Sequence, residues 1–159
     1  MNKASHEATC LCGKVSLKIQ KITNEFIVCH CDTCKKWNGG PQFAMPCGTD
    51  VEIQGNEHLS EFTSSPWAKR GFCRNCGTHL YFKMNHSGSY NILLGALNLD
   101  KKEKLHMSMQ YFIDLKPDYY SFDCDSPAMT EAEVIENSAN KNTQRHQVGN
   151  SNKEGDFVC

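Results

Sequence analysis

The chain contains no apolar run approaching the roughly 20 residues of a membrane-spanning helix, which argues against a helical membrane protein. Its opening residues, Met1-Asn2-Lys3-Ala4-Ser5-His6-Glu7, lack the apolar stretch of a secretion signal. It also lacks an excess of charge of either sign. A formal net charge of −1 leaves no electrostatic footprint for a polyanion, so nucleic acid is not the favoured partner. These absences lead us to expect a cytoplasmic protein. At 159 residues the chain fits one domain with its own core, assigned here to residues 8–137, followed by a polar tail over 138–159 that is expected to be disordered.

What the sequence has in abundance is cysteine, with ten residues. Cytoplasmic thiols are kept reduced, so such a chain is better suited to metal binding or catalysis than to disulfides. Seven of the ten fall into three tight clusters: Cys10-Leu11-Cys12-Gly13, Cys29-His30-Cys31-Asp32-Thr33-Cys34 and Cys73-Arg74-Asn75-Cys76-Gly77. Cysteines one or two residues apart can aim their sulfurs at one point about 2.3 Å away, whereas a disulfide requires opposed Cβ vectors that such neighbours satisfy poorly. Zinc is the expected metal.

Seven ligands divide naturally as four plus three. The Cys10/Cys12 and Cys73/Cys76 pairs each end in glycine, and Gly13 and Gly77 can take the positive φ that turns backbone amides towards the sulfurs. Together they make a closed structural site. Cys29, Cys31 and Cys34 then form a three-thiolate cradle from one segment, whose fourth position falls to another residue or to a substrate. His30 lies between two ligands in what reads as an extended C-x-C and should point the other way. His79 and Cys47 read as core or surface residues before ligands, and Cys124 and Cys159 as unligated thiols. Lys35, Lys36, Lys69, Arg70 and Arg74 flank the clusters; they form either a solvated face or contacts to the carboxylates of an anionic thiol.

Short alternating segments dominate the rest. Val15, Leu17 and Ile19 alternate with Ser16 and Lys18, Val51 and Ile53 flank Glu52, and Leu80, Phe82 and Met84 alternate with Tyr81 and Lys83. These predict strands with one wet face. Residues 25–29, 42–45, 59–63, 90–94 and 107–113 read likewise, between turn-forming stretches such as Gly39-Gly40-Pro41 and Ser64-Ser65-Pro66. The fold class is therefore mainly β, with its core between residues 9 and 122 and little room for helices. From Asp123 the composition turns polar, and the capping-box spacing of Thr130-Glu131-Ala132-Glu133 predicts one short helix to about Asn137.

Taken in order, the Cys10–Gly13 and Cys29–Lys36 motifs and the stretch Ser64-Ser65-Pro66-Trp67-Ala68-Lys69-Arg70-Gly71-Phe72-Cys73-Arg74-Asn75-Cys76-Gly77 resemble the glutathione-dependent formaldehyde-activating enzymes, the S-(hydroxymethyl)glutathione synthase family that also includes centromere protein V. Lys116-Pro117-Asp118-Tyr119 is similar to a further segment of that family. The resemblance implies a mostly β, Mss4-like fold. It implies one zinc on Cys10, Cys12, Cys73 and Cys76 and a second, more labile zinc on Cys29, Cys31 and Cys34. It further implies carbon–sulfur lyase chemistry on glutathione and formaldehyde. Two other functions compete with this one: a non-catalytic zinc module that binds a protein or nucleic acid, and a redox sensor whose three-thiolate site releases metal on oxidation.

Overall fold

The structure, a computed structural model, describes residues 6–145, with side chains described through residue 140. Its elements run β1 (His6–Thr9), β2 (Ser16–Ile19), β3 (Glu25–Cys29), α1 (Asp32–Asn38), β4 (Gln42–Gly48), β5 (Val51–Gln54), β6 (Leu59–Ser65), β7 (Ala68–Cys73), β8 (His79–Met84), β9 (Tyr90–Leu93), β10 (His106–Tyr111), β11 (Ala128–Met129) and α2 (Glu131–Arg145). The mainly β expectation holds. A three-stranded sheet, β1-β2-β5, packs beside an eight-stranded sheet ordered β11-β10-β3-β4-β9-β8-β7-β6. Pairing is antiparallel except where β10 runs parallel to β3 and to β11. No helix among the described residues is long and apolar enough to cross a membrane.

Alternation explains the small sheet: Leu17 and Ile19 are buried while Lys18 between them is exposed. These residues join Ala8 and Val15 in the main core, against Met45, Leu80, Tyr81 and Ile92 from one face of the large sheet. The other face carries Ile27, Ala44, Ala68, Phe82 and Met84. With both faces covered, β8 departs from the expected wet face. Gly71 pairs with Tyr81 and Phe72 with His79, so Leu80 sits in a bulge and both Leu80 and Tyr81 enter the main core.

Three further departures bear on the site. The segment 68–73, outside the strands expected from alternation, forms β7, a hairpin partner of β6 through a tight turn at Pro66-Trp67. Helix α1 begins inside the second cysteine cluster: Cys31 is its N-cap, its sulfur accepting the Cys34 amide at 3.4 Å, and Gly39 closes the helix in the left-handed region at φ 76°. Helix α2 extends beyond Asn137 to Arg145, with no glycine or proline in between to stop it. Part of the expected disordered tail is thus helical, and the remainder, 146–159, lies outside the described residues. The core also exceeds 9–122, since Ala8 and Val134 are both buried.

Candidate metal centres

The first centre is made by two knuckles. Cys10 and Cys12 follow β1, and Gly13 turns the chain back at φ 75°, its amide bonded to the Cys10 carbonyl at 3.0 Å. The second knuckle repeats the geometry after β7, with Gly77 at φ 75° and its amide on the Cys73 carbonyl at 2.8 Å. The expected positive φ is present in both. All four sulfurs lie within 4.8 Å of one another, with Cys10 to Cys12 at 3.6 Å and Cys12 to Cys73 at 3.7 Å. A zinc–sulfur bond of about 2.3 Å gives a regular tetrahedron an edge of about 3.8 Å, so this donor set fits zinc.

Thr78, a residue outside the expected cysteine motifs, couples the two knuckles. Its hydroxyl oxygen accepts the Leu11 amide at 3.0 Å, leaving its hydrogen to the Cys76 sulfur at 3.2 Å. Donation from the Thr78 hydroxyl, and then from its amide, holds the Cys76 thiol down to about 5, whereas burial pushes Cys73 up to about 11. The nearest signal in the sequence is the position of Thr78 directly after Cys-x-x-Cys-Gly.

The second centre lies across the opposite face of the large sheet. Cys29 ends β3, Cys31 caps α1 and Cys34 lies in its first turn. Their three sulfurs are within 4.8 Å of one another, all three residues are buried, and Phe112 and Val134 pack against them. The helix start is what gathers the cluster: an N-cap sulfur and a sulfur three residues later fall on the same end of the turn.

His30 is fully buried but directed away from the sulfurs into a chain of hydrogen bonds. Ser126 donates to the Met107 sulfur at 3.3 Å and accepts the Gln110 amide at 2.9 Å. The Gln110 oxygen therefore accepts from His30 Nε2 at 2.9 Å, and His30 Nδ1 accepts the Tyr120 hydroxyl at 2.7 Å. Burial holds His30 below the usual histidine range, consistent with the neutral ring this chain requires. The histidine ties the cluster to the 110–126 segment.

Of the basic residues singled out from the sequence, Arg70 reaches the second centre: its Nη2 donates to Cys34 Sγ at 3.4 Å. Lys69, its neighbour on β7, projects from the opposite face and pairs with Glu61 at 3.7 Å. Lys35 bonds Asp32 at 3.0 Å and the Leu115 carbonyl at 2.6 Å, Lys36 is exposed, and Arg74 donates to the Leu59 carbonyl at 3.0 Å. His79 stacks on Trp37 with ring centroids 4.4 Å apart and joins neither sulfur group. Cys47 is buried in the main core, Cys124 is exposed, and Cys159 lies outside the described residues.

The sequence matches the family described as glutathione-dependent formaldehyde-activating enzyme over residues 5–114, a span that includes both cysteine groups. The chain belongs to this family. As a member of the glutathione-dependent formaldehyde-activating enzyme family it is also 34% identical over 130 residues to an uncharacterized lyase of Schizosaccharomyces pombe, covering 82% of this chain and 94% of that protein. The crystal structure of a Rhodobacter sphaeroides protein has a similar fold, with a TM-score of 0.50 at 21% identity, over 64% of this chain and 99% of that one.

Proposed function

We propose that this protein is a zinc-dependent carbon–sulfur lyase that joins and parts a small thiol and an aldehyde, namely glutathione and formaldehyde, in the manner of an S-(hydroxymethyl)glutathione synthase. The observation that supports this reading is the difference in ligand count. Four sulfurs converge in the first group and three in the second, and among the described residues no further cysteine, histidine or carboxylate joins the three. A four-thiolate zinc site is closed and structural, whereas three protein ligands leave a position for substrate. Bound there, zinc would supply a Lewis acid that favours the thiolate over the thiol and polarises a carbonyl oxygen.

The residues divide the remaining work. Cys29, Cys31 and Cys34 would hold the working metal, and Cys10, Cys12, Cys73 and Cys76 the structural one. Phe112 and Val134 cover the three sulfurs and keep bulk water from them. Lys35 and Lys36 on α1 would meet the ligand's carboxylates, Lys35 once it leaves Asp32 and the Leu115 carbonyl. The family description and the lyase relative support the reaction class. A cytoplasmic setting, where glutathione is abundant, completes the proposal.

Calorimetry of the zinc-loaded protein with glutathione and with S-methylglutathione tests it. Glutathione should bind with release of protons and more tightly as pH rises towards its thiol pKa of about 8.5, while the methylated form should not. Equal affinity for the two would overturn the reading.

A further inference from the structure

Arg70 is the largest fully buried side chain, 2% exposed, on a strand where the neighbouring inward position is Ala68. Burying a guanidinium is costly unless charge and hydrogen bonds compensate. Among the described residues no carboxylate pairs with it. Its Nη1 donates to Gln42 Oε1 at 2.6 Å, an oxygen that also accepts Asn38 Nδ2 at 2.9 Å. Two donors on one atom fix the orientation of the Gln42 amide. Its Nη2 faces Cys34 at 3.4 Å. Two donors of this group remain buried without an acceptor, Arg70 Nε and Gln42 Nε2. Nε lies beside Nη2 on the planar guanidinium, and Nη2 is the nitrogen that donates to Cys34.

A desolvated donor on the same guanidinium that bonds the three-cysteine site points to an oxygen-bearing ligand. We infer that Arg70 is a catalytic residue whose Nη2 fixes the Cys34 sulfur while its Nε–H donates to the oxygen of the thiol–carbonyl adduct. This rests on the proposed lyase reading of the second centre. In the forward direction the thiolate sulfur forms a bond to the carbonyl carbon, and the carbon–oxygen π pair moves onto oxygen, which takes a proton from water. In reverse the hydroxyl loses its proton, the carbon–sulfur bond breaks and its electron pair returns to sulfur. Negative charge resides on the oxygen between these states, and a fixed donor in a site shielded from bulk water stabilises it more than bulk water does. Lysine would retain the charge but not the two-pronged edge.

Thioacetate tests the role, because like the adduct it carries oxygen on the carbon bonded to sulfur; ethanethiol is the control without that oxygen. Binding of each is read from the visible spectrum of cobalt-substituted wild-type protein and of Arg70→Lys. The variant should keep two metal equivalents and its affinity for ethanethiol but lose about tenfold or more in affinity for thioacetate, the worth of a charged hydrogen bond. An equal loss for both thiols, or none for either, would overturn the role of Arg70 while leaving the lyase reading in place. Wild-type protein that binds neither thiol would overturn both. A second measurement needs no variant: hydrogen exchange of the buried arginine Nε–H in the zinc-loaded wild-type protein, followed by NMR, should slow with thioacetate and not with ethanethiol. Equal exchange in the two complexes would likewise overturn the proposal.

Discussion

The hydroxyl of Thr78 lies 3.2 Å from the sulfur of Cys76 while its oxygen accepts the amide of Leu11 at 3.0 Å, so a single side chain spans the two halves of the four-cysteine centre. Groups that bond a metal ligand from behind hold its direction and tune its basicity, and their loss typically costs 10–100-fold in metal affinity. Thr78→Val keeps the shape and removes the hydroxyl. Because Leu11 is exposed, water can take over its amide, and the folding cost should be only about 1 kcal/mol. Zinc retention against a competing chelator should fall by about tenfold or more at the first centre and stay unchanged at the second. Unchanged retention at both would show that Thr78 has no part in holding the metal.

The two centres should respond differently to loss of a cysteine. Cys73 is fully buried and belongs to the group that joins residues 10–12 to residues 73–76, so metal bound there would contribute its binding energy to folding. Cys73→Ser should give insoluble protein or a melting temperature lowered by many degrees. Cys31 instead caps α1, and serine is among the best residues for that position. Cys31→Ser should therefore fold nearly as the wild type, with one zinc equivalent in place of two and no binding of glutathione. Two equivalents in Cys31→Ser, measured by elemental analysis, would rule Cys31 out as a ligand.

What could be read from the sequence follows from which residues have a spacing rule. Glycine-ended cysteine pairs have one, and both knuckles formed as expected. Strands are legible where apolar residues alternate, as in β2, and β3 matches its expected span of 25–29. Strand β7 is not legible because its inward position is occupied by Arg70 and the next by Gly71, so the apolar period is broken at the strand's centre. Helix α1 is too short to show a period of 3.6, and its cysteines read as a metal motif before they read as a cap. Nor does sequence spacing show that Val134 of α2 packs on Cys29, Cys31 and Cys34. Position along the chain grouped the cysteines; only the sheet topology could place Arg70 beside Cys34 and Lys69 on the other face.

Gly71 is required by an aromatic ring. A Cβ at this position would meet Tyr81 Cζ at 2.2 Å, and that ring cannot easily yield, since it is buried and its hydroxyl donates to Glu61 at 2.9 Å. Gly71→Ala should cost about 1–3 kcal/mol, as overpacking of a filled core does. Chemical denaturation of Gly71→Ala, alone and combined with Tyr81→Leu, checks this. The alanine penalty should shrink in the Tyr81→Leu background, and an equal penalty in both would assign the cost to the backbone and not to the ring.

Cys47 gives the protein a sensitivity to alkali. Burial in the main core pushes its thiol up from 9.0 to about 12, because the thiolate would be left without solvent. In the unfolded chain the same thiol ionises near its ordinary value. The sign follows from linkage: the contribution of the neutral buried thiol is fully present below about pH 9 and is lost as pH rises through about 12. Cys47→Ala removes this titration, and its small cavity should cost stability at pH 7. The stability deficit of the variant relative to wild type should therefore narrow between pH 9 and pH 11 in urea denaturation. Iodoacetamide at pH 8 should accordingly modify the exposed Cys124 rapidly and leave Cys47 unmodified until the protein unfolds. A deficit that stays constant across this range, with rapid labelling of Cys47, would show that the thiol is not shielded by the core around it.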